Sequence, residues 1–170
     1  AGAFLNEQKI IWNRDVPYPP LVVGLASAFA ILGKTAQTTA AKAKLAQWFW
    51  CVTLGELYGS STESRLAKDV PQLVNWVRDD GARPLSLDEA LFQQDRLKSL
   101  RSRLSAAYKG LHALLMRQGC RDFITGRGVE LMTFFNDKID IHHVFPKKWC
   151  LSKDIKPAVF NSIVNKSPLF

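Results

Sequence analysis

Asp140-Ile141-His142-His143-Val144-Phe145-Pro146 marks the point where the chain changes character. The helical periodicity upstream gives way to a short β-type run from Lys138 to Phe145, whose apolar members are Ile139, Ile141, Val144 and Phe145. Two of the chain's 3 histidines stand side by side in this run, beside a carboxylate. Successive side chains of a regular strand point to opposite faces, so His142 and His143 converge on one site only if the strand ends or bends between them. Pro146 has no N–H to give to a ladder and makes such an ending reasonable. Asp140 lies two residues before His142 and shares its face.

Upstream of this run the patterns are helical. Pro17, Pro19 and Pro20 predict an extended entry that ends where Pro20 can open a helix reaching about Gly33. A second helix is expected from Ala36 to Tyr58, with Ala41, Leu45, Trp48, Phe49 and Val52 on one stripe and Gly59 as its stop. Ser60-Ser61-Thr62-Glu63 has the form of a capping box, and Pro71 suits the first turn of a further helix running toward Trp76. The turn Gly81-Ala82-Arg83-Pro84 precedes a second capping box at Ser86-Leu87-Asp88-Glu89.

From Arg103 to Gln118, Leu104, Ala107, Tyr108, Leu111, Leu114 and Leu115 form an apolar face, with Arg103, Lys109 and Arg117 directed outward and Gly119 closing the helix. His112 reads as a structural histidine, and Trp48, Trp50, Tyr58 and Trp76 read as core at helical spacing. Phe123 to Gly128 is turn-like, and the shift near Gly119 to Gly126 suggests a boundary. The expected architecture is mainly α: a multi-helix domain over residues 1–122, then a smaller domain over 123–170 built around the histidine pair.

Among 170 residues, 47% are apolar and 22% charged, which predicts a folded core rather than disorder. Lys and Arg number 23 against 15 acids, for a formal charge of +8, and that balance favours an anionic partner such as nucleic acid. Between Arg96 and Arg127 the basic residues include Arg101, Arg103 and Lys109, against the single acid Asp122. This stretch is either an electrostatic footprint for nucleic acid or a solvated helix face whose acidic partners lie elsewhere in a longer protein.

Cys51, Cys120 and Cys150 are far apart and imply neither a disulfide framework nor a zinc ribbon. No signal peptide is visible, and the apolar run from Leu21 to Leu32 is too short for a spanning helix, so a cytoplasmic protein without a membrane partner is expected. A start at Ala1-Gly2-Ala3 and an end at Pro168-Leu169-Phe170 read as those of an excised fragment.

A phosphodiester nuclease needs a base of near-neutral pKa to take a proton from water, and a metal to neutralise charge on the phosphate and leaving oxygen. One histidine can serve each role. His142-His143-Val144-Phe145-Pro146 resembles the first half of an HNH, or ββα-metal, motif, and Asn161-Ser162-Ile163-Val164-Asn165-Lys166 resembles the element that bears its middle asparagine. More closely, Asp140 to Lys148 together with Asn161 to Leu169 is similar to the C-terminal HNH domain of GmrSD-type proteins, the modification-dependent restriction endonucleases of bacteria and archaea. Arg14 to Tyr18, Trp48-Phe49-Trp50 and Ser105 to Gly110 resemble the helical region that precedes that domain.

The resemblance implies His143 as the general base, His142 as a metal ligand, and Asn165 as the asparagine that braces the loop and orients the base. Asp140 would hold the ring N–H of a metal-bound His142. Mg²⁺ or Mn²⁺ is the implied metal, with Zn²⁺ or Ni²⁺ admitted by an imidazole ligand. DNA is the implied partner, contacted by Arg101, Arg103, Lys109, Lys147 and Lys148, and the reaction is DNA cleavage in defence against foreign, base-modified DNA.

Family members continue into a helix that supplies the last ligand of the site, and they carry an N-terminal nucleotide-hydrolysing domain related to ParB-like folds. This sequence has no Gly-rich phosphate loop of its own. The residues also admit a non-catalytic nucleic-acid-binding or inter-domain docking module and, more weakly, a helical interaction domain whose charge aids solubility.

Overall fold

The computed structural model describes residues 1–60, 62–122, 124–128 and 140–169. The protein is mainly helical, as expected, and its contacts divide it into two compact units, Ala1–Phe92 and Gln93–Phe170. The boundary expected at 122/123 falls inside the second unit, so the basic helix and the histidine pair belong to the same unit.

The first unit opens with α1 (Gly2–Glu7) and a 3₁₀ turn, Asn13–Asp15, in which the Asp15 carboxylate accepts from the Trp12 N–H at 3.2 Å. Tyr18 is extended, as a residue before proline prefers, and α2 (Pro19–Leu32) begins on the two prolines. Gly33 ends α2 at φ 55°, a conformation that costs glycine nothing, and a 3₁₀ turn carries the chain to Gln37.

α2 with this turn, Pro19–Gln37, is long and apolar enough to cross a membrane by length and composition alone. Its Leu21, Leu25, Ala28 and Leu32 are buried within the unit, whereas Val23 and Ile31 are exposed.

α3 spans Thr39–Leu54, with the Thr38 hydroxyl capping it by accepting from the Ala41 N–H at 3.2 Å. Ala41, Leu45, Trp48, Phe49 and Val52 are all buried, so the expected stripe is the core face. The helix stops at Gly55 rather than Gly59. A β-carbon on Gly55 would meet the Cys51 carbonyl oxygen at 2.9 Å and the Ala90 backbone at 3.2 Å, so close approach of α3 to the chain near Ala90 fixes the glycine.

α4 (Thr62–Asp79) is one continuous helix, where the sequence suggested two. Pro71 sits inside it and not at a first turn; the helix tolerates the missing N–H because Leu73, Val74 and Val77 on the same element are buried and hold its apolar face in place. In α5 (Leu85–Glu89), Pro84 rather than Ser86 occupies the cap position, and Ser86 lies buried within the turn.

The interior of this unit is fixed by one carboxylate. Asp69, only 5% exposed, accepts from the indole N–H of Trp48 at 3.2 Å and from the Tyr58 hydroxyl, joining α3, the chain after it and α4. Burial, and then the Asp69 hydrogen bond, push the Tyr58 phenol up.

The second unit contains α6 (Arg96–Ser99), α7 (Ala106–Arg117), a turn closed by the Arg121–Gly128 bridge, and a small antiparallel sheet with its connecting helices. α7 starts later than the apolar pattern suggested, because the Ser105 hydroxyl caps it by accepting from the Tyr108 N–H. Leu104 therefore precedes the helix and is 82% exposed, and Leu115 also faces out. Leu100, Ala107, Tyr108 and Ile163 form the core of this unit, flanked by Leu97 and Leu111.

Replacing Asp69 with alanine leaves two buried donors unpaired and is expected to lower the stability of the first unit by about 2–4 kcal/mol, as measured by denaturant unfolding. Asp69→Asn, which keeps an acceptor oxygen, costs less. Equal stability of Asp69→Ala and the native protein would contradict this role.

Candidate nuclease site

β1 (Asp140–His143) pairs antiparallel with β2 (Lys166–Leu169), and the register sets Asp140 opposite Leu169, Ile141 opposite Pro168, His142 opposite Ser167 and His143 opposite Lys166. The ladder extends by one bond past the strand, from the Val144 N–H to the Asn165 carbonyl at 3.0 Å. There β1 stops, and Pro146 leads into α8 (Lys147–Ser152). α9 (Pro157–Phe160) and a 3₁₀ turn, Ile163–Asn165, return the chain to β2.

Asn165 ties the two ends of this excursion together. Its side-chain oxygen accepts from the Phe145 N–H at 2.8 Å, and its amide nitrogen donates to the carbonyls of Phe145 at 3.1 Å and Phe160 at 3.0 Å. The residue is 6% exposed. One buried carboxamide thus satisfies both backbone groups of the residue two past His143, together with the last carbonyl of α9. A hydrophobic residue could not do this, because it would leave the buried Phe160 carbonyl, and the part-buried backbone groups of Phe145, without these partners. Cys150 fills the space beneath, 2% exposed, with its thiol 3.5 Å from the Phe145 carbonyl.

His143 is half-buried. Its Nε2 lies 3.0 Å from the Asn161 side-chain oxygen, and its ring meets Phe160 edge-on at 6.1 Å. An amide oxygen only accepts, so with the Asn161 oxygen facing the ring Nε2 is the donor of this contact, and in a neutral ring of that tautomer the lone pair is on Nδ1. The sequence reading did not single out Asn161. Its signal was an asparagine four positions before Asn165 in the same polar string, but only the fold brings it to the imidazole.

His142 is exposed, and because β1 runs unbroken through both histidines, with the ladder continuing to Val144, the strand end expected between them falls after His143 and alternation places the two rings on opposite faces. Among the described residues, no three His, Cys, Asp or Glu side chains gather into a metal-holding group. The exposed imidazole of His142 fits as a single donor to a divalent ion whose other positions go to water and phosphate oxygens. Asp140, the residue expected to support His142, contributes its backbone to the outer end of the ladder, and its side chain lies outside the described residues.

The expected basic contacts separate into two groups. Lys147 and Lys148 are exposed at the start of α8, just past the Asn165-braced turn. Arg101 and Arg103 are exposed ahead of α7, and Lys109 is half-buried on it. This second group is tied to the site's framework, because the Ile163 N–H donates to the Leu100 carbonyl at 2.8 Å. His112 is buried with its ring 4.6 Å from that of Tyr108, the core position expected for it. Burial, and then the charge of Arg103, depress its pKa to about 4.

No family model matches the chain, and no solved structure matches it. It is similar to uncharacterized protein MJ0686 of Methanocaldococcus jannaschii, with 28% identity over 130 residues, 74% of this chain and 22% of that protein. The chain spans about a fifth of that relative's length.

Two measurements follow from this geometry. Asn165→Ala is expected to destabilise the second unit by about 1–3 kcal/mol in denaturant unfolding, since it leaves the buried Phe160 carbonyl without this partner and removes two part-buried bonds to Phe145; native-like stability would contradict the bracing role. For His112 the folded pKa of about 4 lies below the usual 6.5, so the neutral ring's contribution to stability is complete above pH 6.5 and is lost as pH falls toward 4. Stability of the native protein should therefore fall more steeply across that window than stability of His112→Phe, and parallel curves would contradict it.

Proposed function

We propose that this chain is part of a metal-dependent DNA endonuclease of the GmrSD type, with an HNH-like ββα-metal site centred on His143. The observation that carries this reading is the buried Asn165 carboxamide clamped on Phe145 and Phe160, which is the bracing role the resemblance assigns to the middle asparagine. A turn held in this way sets the end of β1, and hence His143, in one position, and preorganisation of that kind is what a general base requires.

In this reading a water molecule loses its proton to Nδ1 of His143 as its oxygen attacks the phosphorus of a DNA phosphodiester, and the P–O bond to one sugar oxygen breaks, that oxygen leaving and taking a proton from solvent. Asn161 holds the Nε2–H, which keeps the basic nitrogen at Nδ1 and stabilises the imidazolium that forms, since the amide oxygen accepts from the charged ring as well. Asn165 touches no reacting atom and acts by positioning. His142 is the residue of this chain that would hold the metal, which would supply positive charge against the phosphate and the leaving oxygen; for this its exposed imidazole has to turn around the end of β1 from the face opposite His143. Arg101, Arg103, Lys109, Lys147 and Lys148 supply contacts to the DNA backbone. The biological setting proposed is cytoplasmic defence against foreign, base-modified DNA, in a protein that also carries a nucleotide-hydrolysing domain.

The test is cleavage of plain and base-modified plasmid by the full-length protein with Mg²⁺ or Mn²⁺. His143→Ala is expected to reduce the rate by about a thousandfold while leaving DNA affinity intact. Absence of cleavage by the native protein on both substrates, or full activity of His143→Ala, would sink the nuclease reading and favour a nucleic-acid-binding module instead.

A further inference from the structure

We infer that Lys166 and Arg103 form a two-cation clamp for one phosphodiester of DNA, on the face of the β1–β2 sheet that carries His143. The inference rests on the nuclease reading and adds to it a residue, Lys166, that neither the sequence pattern nor the resemblance assigned to the site.

The register supplies the first part of the argument. His143 and Lys166 are direct partners across the antiparallel ladder, and opposed residues of such a pair project from the same face, with their β-carbons about 5 Å apart. An ammonium is therefore anchored beside the proposed base by the sheet itself. The position is not an ordinary solvated surface site, because Lys166 is half-buried.

The segment ahead of α7 supplies the second cation. The Leu100 carbonyl is bonded to the Ile163 N–H at 2.8 Å, and Leu100 and Tyr108 share a core with Ile163, three residues before Lys166. Arg103 lies between these two anchors in sequence and is exposed. The two anchors carry the Arg103 segment against the Ile163–Asn165 turn that leads into Lys166, and the Arg103 charge bears on Tyr108, His112 and Lys166. Burial, and then the Arg103 guanidinium, hold the Lys166 ammonium below its usual pKa.

Among the described residues, neither cation has a carboxylate partner. Two like charges on adjoining segments, with no counter-charge among the described residues, repel each other, a cost that an anion between them removes. A phosphodiester suits the pair. It carries one delocalised negative charge on two oxygens, so a guanidinium and an ammonium can each take a share. Bound there, it would sit on the face of His143 and present its phosphorus to a water at the imidazole.

The experiment measures affinity of the full-length protein for a short labelled DNA duplex over a range of salt, in a His143→Ala background so that the DNA stays intact. Each phosphate contact contributes about one to the slope of log affinity against log salt. Lys166→Gln and Arg103→Gln are each expected to lower that slope by about one, with Lys166→Arg retaining it; thermal unfolding of each variant checks that the fold is kept. Unchanged slopes in both Gln variants overturn the clamp. That result is distinguishable from failure of the nuclease reading, which is decided by whether cleavage depends on His143. Should Lys166→Gln fail to fold, Arg103→Gln carries the test.

Discussion

The Asn165 carboxamide has one oxygen and one NH₂, and it spends both on backbone: the oxygen on the Phe145 N–H, the NH₂ on the carbonyls of Phe145 and Phe160. Everything proposed for the second unit's site depends on this. The chain leaves β1, passes through two short helices and returns to β2, and such short helices have little stability of their own. A buried side chain that satisfies three backbone groups at the crossing point turns this excursion into a fixed loop. His143 gains a defined position on one side of it, and Lys166 gains one on the other, where β2 begins.

The same economy appears in the first unit, where Asp69 joins Trp48 and Tyr58. In both places a single buried polar group with more than one partner does what apolar packing cannot, because directional bonds specify one arrangement where hydrophobic contact tolerates several. The difference lies in what stands next to the polar group. Around Asp69 the neighbours are core aromatics. Asn165 bonds the backbone of Phe145 and Phe160 within the excursion that joins His143, Asn161 and Lys166, the groups proposed to carry the chemistry.

Much of the helical organisation was legible because local signals acted alone. Pro19 and Pro20 opened α2, Gly33 closed it, and the Ala41 to Val52 stripe is the buried face of α3. Legibility failed where tertiary contact decided the outcome. Pro71 reads as a helix start, but burial of Leu73, Val74 and Val77 carries α4 through it. Gly59 reads as a stop, but α3 ends at Leu54 and Gly55 follows, a glycine fixed by its close approach to Ala90. Leu104 fits the apolar period of α7, but the Ser105 cap excludes it. At the site, His142, His143 and Asn165 stood out as a motif, whereas Asn161 and Lys166 did not. Their roles come from the return of the chain through α9 and from strand register, which no local pattern encodes.

The central claim of the proposal is that His143 acts as the base, with Asn161 holding Nε2 as the donor nitrogen of the ring. The most direct measurement is long-range ¹H–¹⁵N correlation of the His143 imidazole in the neutral ring, compared with the same spectrum of Asn161→Ala. The Nε2–H tautomer is expected in the native protein, with loss of that preference in the variant. An Nδ1–H tautomer in the native protein, or a mixture unaffected by Asn161→Ala, would contradict it.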